Sequence, residues 1–543
     1  MQANKRAYRG RVVQMDAAFT VLPDAVIWIE GNRIIAVTDA AIVAPAGFEH
    51  LKPVVTGGTF FPGLIELHNH LAYDILKLWA VPKLYKNRGA WQGKPEYQAL
   101  VTGPMKILGK APGIAPAIAR YTEAKCLAGG TTTSQGITLF SAPGIQRKYR
   151  GLVRNVEEGL DANLPDAQAQ IPDFAAEKKD LFLKYLKTHK CMLLHLSEGI
   201  DDSARKHFLD LEIAPGDWAI APSLTGIHCN ALKREDFDRL AGVGAGMVWS
   251  PLSNLMLYGR TADIAAAKAA GVRIGIGSDW SPTGSKNLLH ELKVIWQYSQ
   301  VTGGLFSQRD IIAMATNNAA GLLRWDRYLG SIEAGKYADL LVVRGNTGDP
   351  YASLLQADET KIDLVVVDGT PRYATPALAV GFAASAESIS FAGEKRMINF
   401  DDANADEAVS GLSLAKAQKA LSDAMGDFSK TANRAIALER KSMALSKSTS
   451  LSKFDRPQPS QWTLVLDQEE PHDLNLRPRF SDEAHMPSLV RLSETAVSLK
   501  AVSKSIPAPQ KLDPLTVAGD PDYYASLQAQ KNIPANIKQG LHG

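Results

Sequence analysis

The chain has 543 residues, 45% of them hydrophobic, which is ample apolar chain for a large buried core. A net charge of +3 with no basic run excludes a nucleic-acid partner, and no stretch approaches the ~18 apolar residues of a transmembrane helix. No apolar core follows Met1–Arg6, so no secretory signal is expected, and three scattered cysteines (Cys126, Cys191, Cys229) suit a reducing cytoplasm.

In chain order, short strands come first: Tyr8–Met15, Ala25–Glu30 and Arg33–Val37, with a tight turn at Gly31-Asn32. An apolar run from Phe60 to Leu67 then reads as a buried strand and ends in His68-Asn69-His70. Residues i and i+2 of a strand point to the same side, so both imidazoles converge on one point just past the strand end. A long segment follows, with Trp79, Tyr85, Arg88, Trp91 and Tyr97, before a helix over Ala115–Ala128. Loops at one end of a barrel carry specificity. The four aromatics are therefore expected to pave an apolar pocket, with Arg88 gripping an anion; the alternative is that they only anchor a long loop.

A helical pattern over Ala175–Leu186 precedes the apolar run Cys191–Leu194, which ends in His195, with Glu198 three residues on. A further strand ends at His228-Cys229, where alternation turns Cys229 to the opposite, apolar face. Helical spacing recurs over Arg234–Leu240 and Thr261–Ala270, and the run from Val272 ends in Asp279. His290 falls on a helix over Asn287–Gln300, and His189 just before a strand; both read as structural or exposed. Strands that alternate with helices imply a parallel sheet. Polar groups at the ends of many different strands fit the top face of a closed (β/α)8 barrel, an α/β fold.

Further strands at Asp339–Arg344 and Leu364–Asp368, with a turn at Asp368-Gly369, belong with the N-terminal ones. The expected organisation is a composite β-sandwich from residues 1–56 and 333–375 and a barrel over 57–332. Residues 376–543 form a C-terminal extension, with one long amphipathic pattern over Ala405–Leu445 and then Pro- and Ser-rich chain such as Lys447–Gln461. An amphipathic stripe must bury its apolar face, here on the protein's own surface or on a second copy in a homo-oligomer.

The ordered set Pro62-Gly63-x-x-x-x-His68-x-His70, His195-x-x-Glu198, His228-Cys229 and Gly277-Ser278-Asp279 resembles the amidohydrolase superfamily. Ser250-Pro251-Leu252-Ser253-Asn254 looks like that family's strand-seven segment, and Gly330–Leu340 is similar to its closing signature. The likeness runs from about Tyr8 to Tyr373. Its His-x-x-Glu form points to the mononuclear branch that holds cytosine deaminase, guanine deaminase and s-triazine hydrolases. The resemblance departs at Ala231, where deaminases of this branch often carry a second histidine.

The donor set leads to the same chemistry. Three imidazoles (His68, His70, His195) and the Asp279 carboxylate suit one divalent metal ion, zinc or else iron or manganese. Such an ion lowers the pKa of bound water to roughly 7. Asp279 would also take the water's proton, His228 would polarise the substrate and stabilise an oxyanion, and Glu198 would carry a proton to a ring nitrogen or leaving amine. Two alternatives stay open: His228 as a fourth nitrogen ligand, and Glu198 as a group that only orients His195. Lys184, Lys187 and Lys190 fit a solvated helix and its exit rather than a metal bridge, which favours a mononuclear site. The expected activity is metal-dependent hydrolysis of a non-peptide C–N bond in a small molecule, either an amide or cyclic amide or an aminated heterocycle. From a different class, the barrel could be a catalytically silent scaffold.

Overall fold

The computed structural model describes residues 5–141, 146–170, 179–447, 462–466 and 498–541. Short runs of apolar or β-branched residues build its centre. Parallel sheets of three and five strands hold Leu64–Ile65, Thr131–Ser134 and Arg154–Asn155, then Ala167–Gln170, Cys191–Leu196, Leu224–His228, Gly246–Trp249 and Arg273–Ile276. Backbone bonds join the two sheets into a ring. The Ala167 N–H donates to the Val156 carbonyl at 2.7 Å, and the Leu67 N–H to the Ile276 carbonyl at 3.2 Å. The result is the (β/α)8 barrel, with helices such as Ile114–Ala128 and Leu288–Val301 around it.

Both chain ends contribute to a second, nine-stranded sheet. Lys5–Val13 pairs antiparallel with Val21–Glu30 and parallel with Val54–Pro62, and Leu340–Arg344 pairs antiparallel with Val54–Pro62. Tyr8, Ile27, Phe60, Leu340 and Leu364 share its core. The turn at Asp368-Gly369 has φ of 51° and 71°, the left-handed pair that a two-residue hairpin requires.

Three elements differ from expectation. The Val54–Pro62 strand straddles the boundary at 56/57, because the chain leaves the sheet and enters the barrel within one extended run. The sheet also continues past residue 375: Glu394–Ile398 pairs with Thr370–Ala374, and Glu387–Phe391 pairs with Glu394–Ile398. Ser250–Asn254 is not a strand. Pro251 opens a helix, Pro251–Tyr258, after the Gly246–Trp249 strand, and proline's fixed φ suits that first position.

The amphipathic pattern over Ala405–Leu445 breaks at Asp427 (φ −149°) into the helices Leu414–Gly426 and Phe428–Lys447. Leu414, Leu421 and Met425 are buried, and the first of these helices lies against Ile114–Ala128. Trp462–Val465 adds a strand to Thr138–Ser141. The Pro- and Ser-rich stretch 448–461, and the start of the pattern over Ala175–Leu186, lie outside the described residues.

Candidate active site

The strand ends bring the four imidazoles into one cluster. Ring centroids lie 4.9 Å apart for His68–His70, 4.6 Å for His68–His195, 5.2 Å for His68–His228 and 5.4 Å for His195–His228. The donor atoms of His68, His70 and Asp279 lie within 4.8 Å of one another, as do those of His68, His195 and His228. Asp279 Oδ1 is 3.0 Å from His68 Nε2 and 3.5 Å from His70 Nε2. Ser197, His228, Cys229 and Asp279 all have positive φ, so the chain turns sharply where each of these strands stops. Such non-glycine strain collects at functional sites.

For His68 and His228, the partner on the far side of the ring fixes the tautomer. The Gln135 side-chain oxygen accepts the Asn69 N–H at 2.9 Å and lies 3.0 Å from His68 Nδ1. That oxygen needs a donor, so His68 carries its proton on Nδ1 and turns the Nε2 lone pair inward. Nε2 is buried and, among the described residues, has no hydrogen-bond partner, although a carboxylate oxygen stands 3.0 Å away. A cation held between them would satisfy both groups.

His228 is held the opposite way. The Trp249 indole donates to Thr261 Oγ1 at 2.6 Å, and the Thr261 hydroxyl donates to Asn254 Oδ1 at 3.1 Å. Asn254 Nδ2 therefore donates to His228 Nδ1 at 3.1 Å, which leaves the proton of the neutral ring on Nε2. That N–H faces Glu198 Oε2 across 3.8 Å.

Burial drives the electrostatics. It lowers His68, His195 and His228, the last to about 4 despite the attraction of Asp279. The rings are neutral at pH 7, the state in which His68 and His195 can offer a lone pair to a metal. Burial pushes the Asp279 carboxyl up, but His68 and its neighbours outweigh this and hold it below the usual range. Ser253 Oγ donates to Asp279 Oδ2 at 2.6 Å, leaving Oδ1 for the cluster. Burial raises Glu198, against the lowering effect of Arg88 3.8 Å away. The Trp91 indole donates to the Tyr258 hydroxyl at 2.9 Å, and that hydroxyl donates to Glu198 Oε1 at 2.6 Å. Oε2 is left facing Arg88 and the His228 Nε2, each 3.8 Å away.

A cavity opens above these groups, lined by His70, Tyr73, Arg88, Trp91, Gln92, Tyr97, His195, Glu198, His228, Asp279 and Trp280. Ring centroids 4.9 Å apart for Trp91–Tyr97 and 5.1 Å for Tyr73–Trp280 make its wall aromatic. Arg88, Trp91 and Tyr97 thus lie where their expected role would need them. Trp79 and Tyr85 do not line the cavity. The Trp79 N–H donates to the Pro282 carbonyl at 2.7 Å, and both rings pack in a second row, Trp79 5.7 Å behind Tyr97. Cys229 is buried in the apolar core. His290 is buried too, with Nδ1 3.0 Å from Ser285 Oγ.

Sequence reasoning missed Tyr73, Gln92 and Trp280 on the wall and Gln135, Ser253, Asn254 and Tyr258 behind it. Tyr73 and Trp280 had a signal, since they stand three and one residues after ligand-type positions. The others become visible only through tertiary contact.

Strand-end imidazoles and a carboxylate at the top of a (β/α)8 barrel define a metal-dependent hydrolase. The amidohydrolase family matches residues 216–372. A 5-methylthioadenosine/S-adenosylhomocysteine deaminase from Symbiobacterium thermophilum is 25% identical over 382 residues, covering 62% of this chain and 84% of that protein. Two solved structures share the fold. Atrazine chlorohydrolase from Arthrobacter aurescens TC1, complexed with zinc, has a TM-score of 0.52 at 20% identity, over 67% of this chain and 94% of its own. E. coli guanine deaminase has a TM-score of 0.52 at 18% identity, over 67% and 99%. The chain carries an amidohydrolase-family domain and is a hydrolase of that class, acting on carbon–nitrogen bonds other than peptide bonds. Among the described residues no helix is long and apolar enough to cross a membrane.

Proposed function

We propose that this chain is a mononuclear deaminase of an amino-substituted N-heterocycle. The observation that carries the reading is the pairing of Glu198 Oε2 with the His228 Nε2–H, 3.8 Å apart on the wall of an aromatic cavity. Under this reading a flat ring would lie among Tyr73, Trp91, Tyr97 and Trp280, with one edge toward these two groups.

His68, His70, His195 and Asp279 would hold one divalent cation, zinc by the chemistry of the set. The bound ion supplies Lewis acidity and a water of pKa roughly 7. Asp279, fixed by Ser253, takes a proton from the attacking water. The His228 Nε2–H donates to the substrate atom on which negative charge develops. Glu198 delivers its Oε2 proton to a ring nitrogen or to the departing amine. Water is consumed and ammonia leaves, and a C–NH2 group becomes a carbonyl. Burial raises the Glu198 carboxyl, and Arg88 opposes that rise, which favours release of the proton in the transfer step.

The relative named for 5-methylthioadenosine and S-adenosylhomocysteine supports an aminated purine as the ring. Hydrolysis of a cyclic amide is the second reading, favoured by Ala231 where a second histidine is often found. Three buried, free cysteines support a reducing, cytoplasmic setting. The experiment is a screen of zinc-loaded protein for ammonia release from aminopurines, their nucleosides, aminopyrimidines and aminotriazines, beside ring opening of cyclic amides. Ammonia from a ring amine supports the proposal. Ring opening alone overturns it in favour of amide hydrolysis.

A further inference from the structure

The loop Leu71–Tyr97 carries Tyr73, Arg88, Trp91 and Tyr97, yet its regular structure is three short turns, Leu71–Tyr73, Gly89–Gln92 and Pro95–Tyr97. Irregular buried chain leaves backbone groups that need partners from elsewhere. Here they come from near the C-terminus. The Asp513 N–H donates to the Ile75 carbonyl at 3.0 Å. Gln530 Nε2 donates to the Trp79 carbonyl at 3.1 Å, and its Oε1 accepts the Val81 N–H at 3.3 Å. Asn532 Nδ2 donates to the Lys83 carbonyl at 2.9 Å and the Met256 carbonyl at 2.7 Å. Met256 lies on the helix that presents Tyr258 to Glu198.

The segment is anchored under the site by charge. The Asp513 carboxylate, 2% exposed, takes Lys125 and Lys286, each at 2.7 Å. Lys125 also donates to the Asp74 carbonyl at 2.5 Å and to Ser281 Oγ at 3.2 Å. The Asp74 carboxylate in turn accepts from Asn69 Nδ2 at 3.0 Å and the Ser281 N–H at 2.8 Å. Asn69 stands between His68 and His70, and Ser281 follows Trp280.

We infer that residues 511–532 are a strap belonging to the catalytic pocket, with Gln530 and Asn532 as positioning residues that set its aromatic wall. They touch neither the ligand cluster nor the cavity. Their effect runs through the backbone at residues 79–83, where Trp79 packs behind Tyr97, while the Pro251–Tyr258 helix keeps its own bonds to Asp279, His228 and Glu198. The strap therefore governs how well the ring is held rather than the proton transfers. Its kinetic consequence rests on the deaminase reading; its structural consequence does not.

The test is the full-length, zinc-loaded double variant Gln530→Ala/Asn532→Ala. Hydrogen–deuterium exchange over residues 75–86 is expected to quicken by roughly tenfold, as loss of these bonds to buried carbonyls implies. Peptides over 191–196 and 224–228 and the zinc content should stay as in the parent. With an aminated heterocycle that the parent turns over, KM is expected to rise by roughly three- to tenfold while kcat stays within about twofold. Unchanged exchange over 75–86 overturns the inference, and so does faster exchange with unchanged KM. If the parent releases no ammonia from any ring amine, the deaminase reading fails. Exchange, with acrylamide quenching of tryptophan fluorescence, then decides on the strap alone. If the double variant is insoluble, Asn532→Ser is read the same way.

Discussion

Glu198→Gln separates a proton carrier from an orienting group. The substitution conserves shape. A glutamine oxygen at the Oε1 position still accepts the Tyr258 hydroxyl now 2.6 Å away. Its NH2 then replaces Oε2 and faces the His228 Nε2–H and Arg88, both 3.8 Å away. Donors then meet donors, and no transferable proton is left. Loss of general acid–base help of this kind is worth about 10²–10⁴-fold, or about 2.7–5.5 kcal/mol in the barrier. Steady-state ammonia release, beside elemental analysis for zinc, reads the effect. Tyr258→Phe is the companion: it keeps the carboxyl but removes a bond that lowers its pKa, so the Glu198 limb of the pH–rate profile should move to higher pH. A Glu198→Gln enzyme with near-normal kcat and normal zinc would refute the proton-carrier argument and leave Glu198 as an orienting group.

Three further outcomes follow from the geometry. About one equivalent of metal per chain is expected, lost in His68→Ala, because Gln135 aims the His68 Nε2 lone pair into the cluster; two equivalents by elemental analysis would contradict the mononuclear site. Asn254→Asp offers His228 Nδ1 an acceptor in place of a donor, so the ring proton moves to Nδ1. The result should be roughly 10²-fold lower kcat with zinc retained, and unchanged kcat would remove the donor role of His228. Glu291 is buried, and burial raises its carboxyl from 4.5 to about 8. Between those values the native state holds a proton that the unfolded chain has lost, so this group makes stability fall as pH rises, by up to about 1.4 kcal/mol per unit. Thermal melts from pH 5 to 9 should show a weaker fall in Glu291→Gln than in the parent; equal slopes would dismiss the effect.

What was legible in the sequence is what a local period can encode. His68 and His70 stand two apart at the end of an apolar run, and His195, His228 and Asp279 each close another. Those runs are strands, so their ends share one rim. The switch at Ser250 was not legible as a helix start, because Val248, Trp249 and Leu252 continue an apolar run across it and only Pro251 marks the change. The break at Asp427 hides in the same way, within apolar spacing that continues on both sides of it. The roles of Gln135, Asn254 and Tyr258 have no local signature. Each depends on a partner 67, 26 or 60 residues away that the barrel brings within hydrogen-bond reach. Gln530 is the extreme case, 451 residues from Trp79.

The two histidines proposed to polarise and to bind, His228 and His68, are chemically identical, and their outer partners tell them apart. Gln135 presents an oxygen to His68 because the Asn69 N–H has already claimed the same oxygen. Asn254 presents a nitrogen to His228 because the Thr261 hydroxyl has claimed its oxygen. One ring is thus left with a lone pair facing the cluster and the other with an N–H facing Glu198. Residues at positive φ such as His228 and Asp279 cost on the order of 1–3 kcal/mol each. Bonds from the Pro251–Tyr258 helix, through Ser253 and Asn254, hold those two strand ends in place. The same helix brings Tyr258 to Glu198. The donor histidine, the carboxylate base and the proton carrier therefore share one support. A change that shifts this helix should impair all three together while sparing His68, which hangs from Gln135 on a different strand end.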